Sequence, residues 1–354
     1  MSGRRGRGRS TLIITALAAL GLALPAAAQD VQRLSGDAVA IYNLAGRVEL
    51  VAGGGSDVVV RVERGGRDGG QLTLETGSLD GRTTLRVRYP SDEIVYPAMG
   101  RGSSTSLRVS DAGTFSDGRS DEGNRVRVRG SGDGLEAWAD LVVEIPSGRS
   151  VEAYVATGQA EARGVTGDLR IDTGSGSVSA ANVTGALVID TGSGAVDLAD
   201  IRGSVLVDTG SGAVEAARLN GEEIHLDTGS GGIRVAGVEA RAIRIDTGSG
   251  RIVVTGVRAP LVHIDSGSGA IDVELLADVN ELLVDTGSGS VTVRVPSDVG
   301  ADLQVETGSG SIDVDVPLEV RVLRRTELGG RIGDGDGRIT IDTGSGSVRI
   351  TRGS

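Results

Sequence analysis

From about residue 169 onward, apolar and polar residues alternate on both sides of a recurring five-residue segment, Asp-Thr-Gly-Ser-Gly. Counted from the Asp, the positions three and one before it are apolar, as in Leu169 and Ile171. The positions six and eight after it are apolar too, as in Val178 and Ala180. A period of two on both sides of a glycine-rich break predicts two half-buried strands joined by a turn. Each repeat is therefore expected to run strand, turn, strand, turn.

The segment recurs along the chain at a nearly constant spacing. It begins unchanged at Asp172, Asp190, Asp208, Asp227, Asp246, Asp285 and Asp342, with near copies at Asp265 and Glu306. Successive starts lie 18 to 21 residues apart, except for a last interval of 36. One strand pair cannot bury its apolar face alone, so neighbouring repeats must stack and pair in parallel. The predicted fold class is all-β, a parallel, β-helix-like β-solenoid with coils of 18 to 21 residues and two main strands per coil.

Several finer expectations follow from the same spacing. An apolar residue eleven positions after the Asp should fill the return corner, as Val183 and Leu276 would. Ala156 and Glu75 should mark weaker copies of the segment, and the 36-residue interval should hold two coils, one without its motif. The last strand, residues 347–351, should form an open edge that the charge of Arg349 discourages from pairing.

The chain divides into four parts by composition. Residues 1–28 have an arginine-rich start, an apolar run and three alanines, which is typical of a secretory signal peptide. Residues 29–90 alternate irregularly and are expected to form coils that cap the solenoid. Residues 91–137 break the pattern and are interpreted as an insertion, either a loop or a hairpin. Residues 138–354 are the regular repeats.

Composition limits the possible partners and location. The chain has no cysteine, and removing residues 1–28 deletes four arginines and no acids, which changes the net charge from −12 to −16. An acidic protein is a poor ligand for nucleic acid. No second apolar run is long enough for a membrane span. We expect an exported monomer located in the periplasm, on the cell surface or outside the cell.

No catalytic, cofactor-binding or metal-binding residue is predicted. Asp-Thr-Gly-Ser resembles the active-site segment of aspartic proteases, but those enzymes need two Asp sharing one proton, whereas this chain spreads its Asp along a rod. His225 and His263 fall on one outward stripe, so no Ser-His-Asp set can form. The Thr of each segment is expected to point inward.

The stacked Asp should face solvent about 4.8 Å apart and repel one another. The favoured interpretation is that each carboxylate accepts N–H groups from its own turn, and the alternative is Ca²⁺ held between coils. Possible partner-binding residues are Tyr96, Phe115 and Trp138, because the insertion is the one place where exposed aromatic side chains are expected.

The signal peptide, the phrase Val-Glu-Ile-Pro-Ser-Gly at 143–148 and the repeated Asp-Thr-Gly-Ser-Gly together resemble a bacterial β-strand-repeat family of unknown function, the adhesin-like β-solenoid domain. The resemblance covers roughly residues 31–354, without the insertion. It implies an exported β-solenoid with no established enzymatic activity. The secretion signal, the uninterrupted coils and the lack of a catalytic set favour a non-catalytic adhesin or cell-envelope protein with an unidentified surface or envelope ligand. The alternatives are a polysaccharide-acting β-helix enzyme and a calcium-stabilised surface spacer.

Overall fold

The computed structural model describes residues 30–115 and 123–353, which are built almost entirely from β-strands. The predicted signal peptide, residues 1–28, lies outside the described residues. Two short 3-10 helices, Gly69–Gln71 and Pro97–Met99, complete the secondary structure of the described part. None of the helices in that part is long and apolar enough to cross a bilayer.

The strands fall into four groups along the chain. The N-terminal group comprises β1 (Asp30–Leu34), β2 (Ala38–Asn43), β3 (Val48–Ala52), β4 (Val58–Gly65), β5 (Thr73–Leu79) and β6 (Arg82–Arg88). The insertion contributes β7 (Glu93–Val95), β8 (Ser104–Val109), β9 (Asn124–Arg129) and β10 (Leu135–Glu136).

The regular repeats comprise β11 (Trp138–Ile145), β12 (Arg149–Thr157), β13 (Ala160–Arg163), β14 (Gly167–Ser175), β15 (Val178–Thr184), β16 (Leu187–Thr191), β17 (Val196–Arg202), β18 (Val205–Thr209), β19 (Val214–Thr228), β20 (Ile233–Thr247), β21 (Ile252–Arg258), β22 (Leu261–Ser266), β23 (Ile271–Leu275), β24 (Glu281–Thr286) and β25 (Val291–Val295). The C-terminal group comprises β26 (Ala301–Thr307), β27 (Ile312–Asp315), β28 (Glu319–Arg324), β29 (Glu327–Ile332), β30 (Gly337–Thr343) and β31 (Val348–Arg352).

Equivalent strands of successive repeats pair in parallel and in register. Leu187 of β16 lies opposite Leu169 of β14 on one side and opposite Val205 of β18 on the other. The inward residues of the stacked strands form one continuous core of Val, Ile, Leu and Ala. The prediction of an all-β fold with mostly parallel pairing is confirmed, and the stack is solenoid-like.

The return corner follows the predicted pattern in five of the six repeats that carry an apolar residue at this position. The residues eleven positions after the Asp are buried in the first five repeats: Val183, Ile201, Leu219, Val238 and Val257. The prediction for Leu276 is wrong, because the register shifts after Val254 and places Leu275 opposite Val257. Leu275 is 1% exposed and Leu276 is 41% exposed.

The N-terminal group begins the stack and covers its end. β2 pairs in parallel with β12 and β6, and β3 pairs in parallel with β13 and β11. Antiparallel strands complete this end, with β5 on β6, β4 on β11 and β1 on β4. Glu75 lies within β5, where it is opposite Arg86, so the prediction of a weak turn copy at Glu75 is wrong.

The first full repeat does not have the register that its Thr-Gly dipeptide indicates. β12 places Tyr154 opposite Asp172, and Thr157 opposite Ser175. The prediction that Ala156 occupies the Asp position is therefore wrong. Tyr154 in turn lies opposite Tyr42 of β2, so the position that carries Asp along the stack carries Tyr at its N-terminal end.

The insertion forms a second sheet. β8 and β9 form an antiparallel hairpin, β7 pairs in parallel with β9, and β10 pairs in parallel with β7. The structure thus has the hairpin, not the loop, among the described residues of this segment. The sheet packs on the N-terminal end of the stack through a separate apolar cluster that includes Tyr42, Ile94, Tyr96, Phe115 and Tyr154.

The last repeat is inserted between two earlier ones. β30 pairs in parallel with β24 on one side and with β26 on the other, and β31 likewise lies between β25 and β27. The expected open edge at residues 347–351 is therefore wrong, and Ile350 is completely buried. The 36-residue interval holds an antiparallel hairpin, β28–β29, in place of the expected coil.

Candidate functional site

The Thr side chains of the repeated segment are buried and hold the turns together. Thr228 Oγ1 accepts the N–H of Gly231 at 3.0 Å and donates to the carbonyl of Gly212 in the preceding repeat at 2.9 Å. The prediction that these Thr point inward is confirmed, since Thr228 and its equivalents are 3% exposed or less. Ser266 makes the same two hydrogen bonds where it replaces Thr.

The turn glycines lie against the backbone of the neighbouring repeat. A Cβ atom on Gly194 would lie 1.8 Å from the carbonyl oxygen of Gly176. No side chain fits such a gap, so the glycines recur because successive turns stack closely. Thr and Gly together explain the repeated segment as a structural element.

The Asp side chains form a ladder along the outside of the stack. Asp190, Asp208 and Asp285 are exposed and lie in register with their equivalents, whereas Asp172 is 7% exposed. The prediction that each carboxylate accepts N–H groups from its own turn is wrong for Asp190 and for the Asp residues that follow it. In the repeats that begin at Asp190, Asp208 and Asp227, the Thr hydroxyl accepts the turn N–H.

Partial burial and neighbouring charges raise the pKa values of four carboxylates of the ladder, Asp190, Asp227, Asp265 and Asp342. Partial burial, followed by the charges of Asp246 and Asp208, raises the pKa of Asp227 above its ordinary value. Burial, then Asp285 and Glu306, raises the pKa of Asp342. Arg170 offsets part of the repulsion at one end, at 3.9 Å from Asp190. The described residues contain no group of three or more His, Asp or Glu that could hold a metal ion.

The predicted His stripe is present on the outside of the stack. His225, Arg244 and His263 lie in register on adjacent strands. His263 Nε2 lies 3.1 Å from Glu281 Oε2. This is a surface contact between neighbouring repeats.

A groove of 960 Å³ lies where the insertion meets the first turns of the stack. Its aromatic wall is formed by Tyr96 and Trp138, whose ring centroids are 5.7 Å apart with the planes tilted by 54°. The floor is formed by glycine and serine residues of three successive turns, ending at Ser193. The groove therefore combines ring surface with backbone and hydroxyl groups.

The three predicted partner-binding residues are separated by the fold. Phe115 is 4% exposed and packs edge-on against Tyr42, with ring centroids 5.8 Å apart, so it is absent from the groove. Tyr96 is 8% exposed, and Trp138 is partly exposed. The expectation of exposed aromatic side chains is therefore wrong for Phe115 and Tyr96, although Tyr96 keeps an edge in the groove.

Polar residues of the groove were not identified from the sequence. Arg47, Asp140 and Gln159 line the groove. The backbone N–H of Arg47 donates to Asp140 Oδ1 at 2.7 Å. Burial, then the charge of Asp140, raises the pKa of Tyr96 above its ordinary value. These residues come from three separate strands and turns. Alignment of Tyr42 with Tyr154 would have placed Arg47 beside Gln159, but it gives no signal for Asp140, which reaches the groove through the pairing of β11 with β3.

The groove contains one carboxylate and one guanidinium, Asp140 and Arg47, and lies on a mostly parallel stack of β-repeats. These features define an extended β-repeat protein with a polar surface groove. Residues 139–351 match the profile of the family described as Toastrack DUF4097, a family of unknown function. Since the match covers more than half of the chain, the protein belongs to the Toastrack DUF4097 family.

The matched region begins directly after Trp138, so the insertion lies outside it. A crystal structure of a putative cell adhesion protein from Clostridium sporogenes ATCC 15579 matches 92% of this chain and 99% of its own, at 11% identity and a TM-score of 0.18. The curated proteins contain no match to the chain.

Proposed function

We propose that this protein is an exported, non-catalytic β-solenoid that attaches to a ligand of the cell surface or envelope through the groove beside Trp138. In this proposal each repeat of 18 to 21 residues is one coil, as the register of paired strands supports. The stack serves as the rigid support, and the insertion sheet forms one wall of the binding site.

One observation carries the proposal: the groove is the place where an aromatic wall and a hydroxyl-rich floor meet. Ring surface provides apolar contact area at low conformational cost, and the exposed Gln159 and Ser193 provide hydrogen-bonding groups. The two charged side chains of the groove, Arg47 and Asp140, carry opposite charges. An uncharged, hydroxyl-rich ligand such as a surface glycan matches this lining.

The absence of catalysis is part of the proposal and rests on the same lining. Hydrolysis of a glycosidic bond uses two carboxyl groups that flank the scissile bond. The described groove lining supplies Asp140 alone, and one of its oxygens already accepts the N–H of Arg47. The polysaccharide-acting enzyme therefore has less support from this site than a binding protein.

Export is proposed from residues 1–28, whose charged start and apolar run are typical of a secretory signal. Fractionation of the native cells tests it. Recovery from the periplasm, the cell surface or the medium is the expected result, and recovery from the cytoplasm contradicts it.

Binding can be tested with a matched pair of substitutions in the turns. Ser193 and Ser230 are both exposed and occupy the same position of their repeats, but only Ser193 lines the groove. Ser193→Trp should fill the groove and weaken binding to isolated envelope material or a glycan array by at least about tenfold. Ser230→Trp should leave binding unchanged.

Equal binding by both variants would exclude the groove as the site. Turnover of a glycan by the wild-type protein would exclude the non-catalytic assignment. Deleting residues 91–137 is a poorer test, because it would expose Tyr42 and Tyr154, which are buried beneath the insertion sheet.

A further inference from the structure

The outer face of the insertion sheet carries a row of arginines on β9. Val126 and Val128 of this strand are buried against the stack, so the residues that alternate with them point away from it. Arg125, Arg127 and Arg129 are these outward residues, and they span about 13 Å along the strand. The sheet therefore has an apolar inner face and a basic row on its outer face.

The neighbouring strand β8 adds to this row. Arg108 lies directly opposite Arg125, and two serines of β8 lie opposite the other arginines of β9. Directly opposed residues of an antiparallel pair share a face, and all three residues of β8 are exposed. We call this surface the arginine face, and it comprises Ser104, Ser106, Arg108, Arg125, Arg127 and Arg129.

The pair formed by Arg108 and Arg125 is unfavourable for the sheet, because like charges directly opposite one another destabilise an antiparallel pair. Arg108 donates to the backbone carbonyl of Gly123 at 3.1 Å, which leaves its charge uncompensated. Packing of the inner face does not require arginine at either position. An anion bound between the two guanidinium groups would relieve their repulsion.

The acidic side chains of the outer face lie toward its other edge. Glu93 of β7 lies 2.6 Å from Arg129 and 3.9 Å from Arg127. Glu136 of β10 is in register with Arg129, with Val95 of β7 between them. The four strands together carry four arginines and two glutamates on this face, so β8 and β9 keep a surplus of positive charge.

This surplus contrasts with the rest of the chain, whose net charge is −12. Most of the protein surface therefore repels an anionic polymer. Charges more than about 8 Å away are largely screened at physiological ionic strength, so a local group of arginines determines where such a polymer binds.

The arginine face continues from the groove beside Trp138. Ser104 lines the groove and also lies opposite Arg129, so the two surfaces meet at this residue. A ligand that leaves the groove past Ser104 reaches Arg129 first and Arg125 about 13 Å further on. A ligand that contacts both surfaces must therefore be an extended chain.

We propose that the arginine face binds the carboxylates of an acidic polysaccharide whose neighbouring sugars occupy the groove. This inference rests on the proposed function and names the class of its ligand. A guanidinium group binds a carboxylate through two parallel hydrogen bonds. A uronic acid carries a carboxylate and hydroxyl groups on one ring, so it can contact the arginines and the serines together. Uncharged sugars of the same chain match the groove, where Arg47 and Asp140 carry opposite charges.

Calorimetric titration with two forms of one polymer tests the proposal: polygalacturonate with part of its carboxyl groups reduced, and the same polymer fully reduced. The two forms share their linkage and differ in charge. At about 50 mM salt the wild-type protein should bind the acidic form at least about tenfold more tightly, and at about 500 mM this preference should disappear.

Arg125→Gln combined with Arg127→Gln should bind the two polymers with equal affinity. Both side chains lie on the outer face, and Arg125→Gln removes a like-charge pair, so the melting temperature should not fall. Arg202→Gln combined with Arg244→Gln is the matched control. These exposed arginines lie in the regular repeats, and their replacement removes the same charge and should keep the preference.

Equal affinity of the wild-type protein for the two polymers, or an equal loss of preference in the control pair, would overturn the inference. Arginine-dependent binding to vesicles of anionic lipid in place of the polymer would also overturn it and assign the face to a membrane. Ser193→Trp distinguishes these results from failure of the proposed function, because it should weaken binding of the fully reduced polymer too. Binding of that polymer that Ser193→Trp leaves intact would contradict the groove and not the arginine face.

Discussion

One position of the repeat carries tyrosine at the N-terminal end of the stack and aspartate along most of its length. Tyr42 and Tyr154 lie in register with Asp172 and are stacked with ring centroids 4.7 Å apart. The insertion sheet covers the tyrosines, whereas Asp190 and most of the later carboxylates are exposed. The same backbone position therefore serves as a packing surface or as a charged surface, depending on what lies over it.

Replacing a covered tyrosine should have the largest effect. Tyr42→Asp removes a ring that is 1% exposed and introduces a carboxylate beneath the insertion sheet. The free energy of unfolding should therefore fall by about 4 kcal/mol. Urea unfolding measures it. Asp227→Tyr is the converse change at an uncovered position and should alter stability by less than about 1 kcal/mol. Similar losses in both variants would contradict the distinction between covered and uncovered positions.

The buried hydroxyls should matter next. Thr228→Val leaves the N–H of Gly231 without its acceptor, which should cost about 2 kcal/mol. Thr228→Ser should keep both hydrogen bonds, as Ser266 does, and cost less than about 1 kcal/mol. Chemical denaturation of the two variants separates the hydroxyl from the methyl group. A larger loss of stability in Thr228→Ser than in Thr228→Val would show that packing, and not hydrogen bonding, explains the buried ladder.

A milder change at the tyrosine end tests its polar contact. The hydroxyl of Tyr154 donates to Glu152 at 2.7 Å, and Tyr154→Phe should cost about 1 kcal/mol at neutral pH.

Burial, then Glu152, raises the pKa of Tyr154, so the folded state holds this proton more tightly than the unfolded state. Stability should therefore fall as pH rises above about 10, the pKa of tyrosine in the unfolded chain, and the fall should be shallower in the Phe variant. Thermal melts across alkaline pH test this, and parallel profiles would contradict it.

The exposed carboxylates should give the smallest effect. The pKa values of Asp227 and Asp342 are raised, so the folded protein binds their protons more readily than the unfolded chain. The repulsion between the ladder carboxylates should therefore weaken, and the folded protein become more stable, as the pH falls toward these raised pKa values. The gain in stability should be lost again as the pH rises toward neutrality. Asp227→Asn should increase the melting temperature slightly at pH 7 and show less gain on acidification than wild type. A lower melting temperature for Asp227→Asn at pH 7 would contradict this account.

Much of the stack could be predicted because its determinants are local. Alternation fixes which residues of each strand face inward, and the turn fixes the inward Thr, as Thr228 shows. The sequence also identified the insertion as the part that departs from the repeat. Each of these features is decided within about one repeat length.

The remaining features depend on contacts between distant segments. Ile339 and Ile341 alternate like any other repeat, so the pattern could not show that their strand lies between β24 and β26. Ala156 precedes Thr-Gly, but burial of Val151 and Ala153 fixes the register two residues away. The groove could not be predicted, because Arg47 and Asp140 meet only after β3 and β11 have paired.

The position of β30 and β31 also has a consequence for the order of folding during synthesis. Strands β11 to β25 can join the stack one after another as the chain is made, since each finds a parallel neighbour already present. β26 and β27 cannot, because their parallel neighbours, β30 and β31, are synthesised after them. The C-terminal end must therefore assemble as a unit, late, once the final strands have emerged.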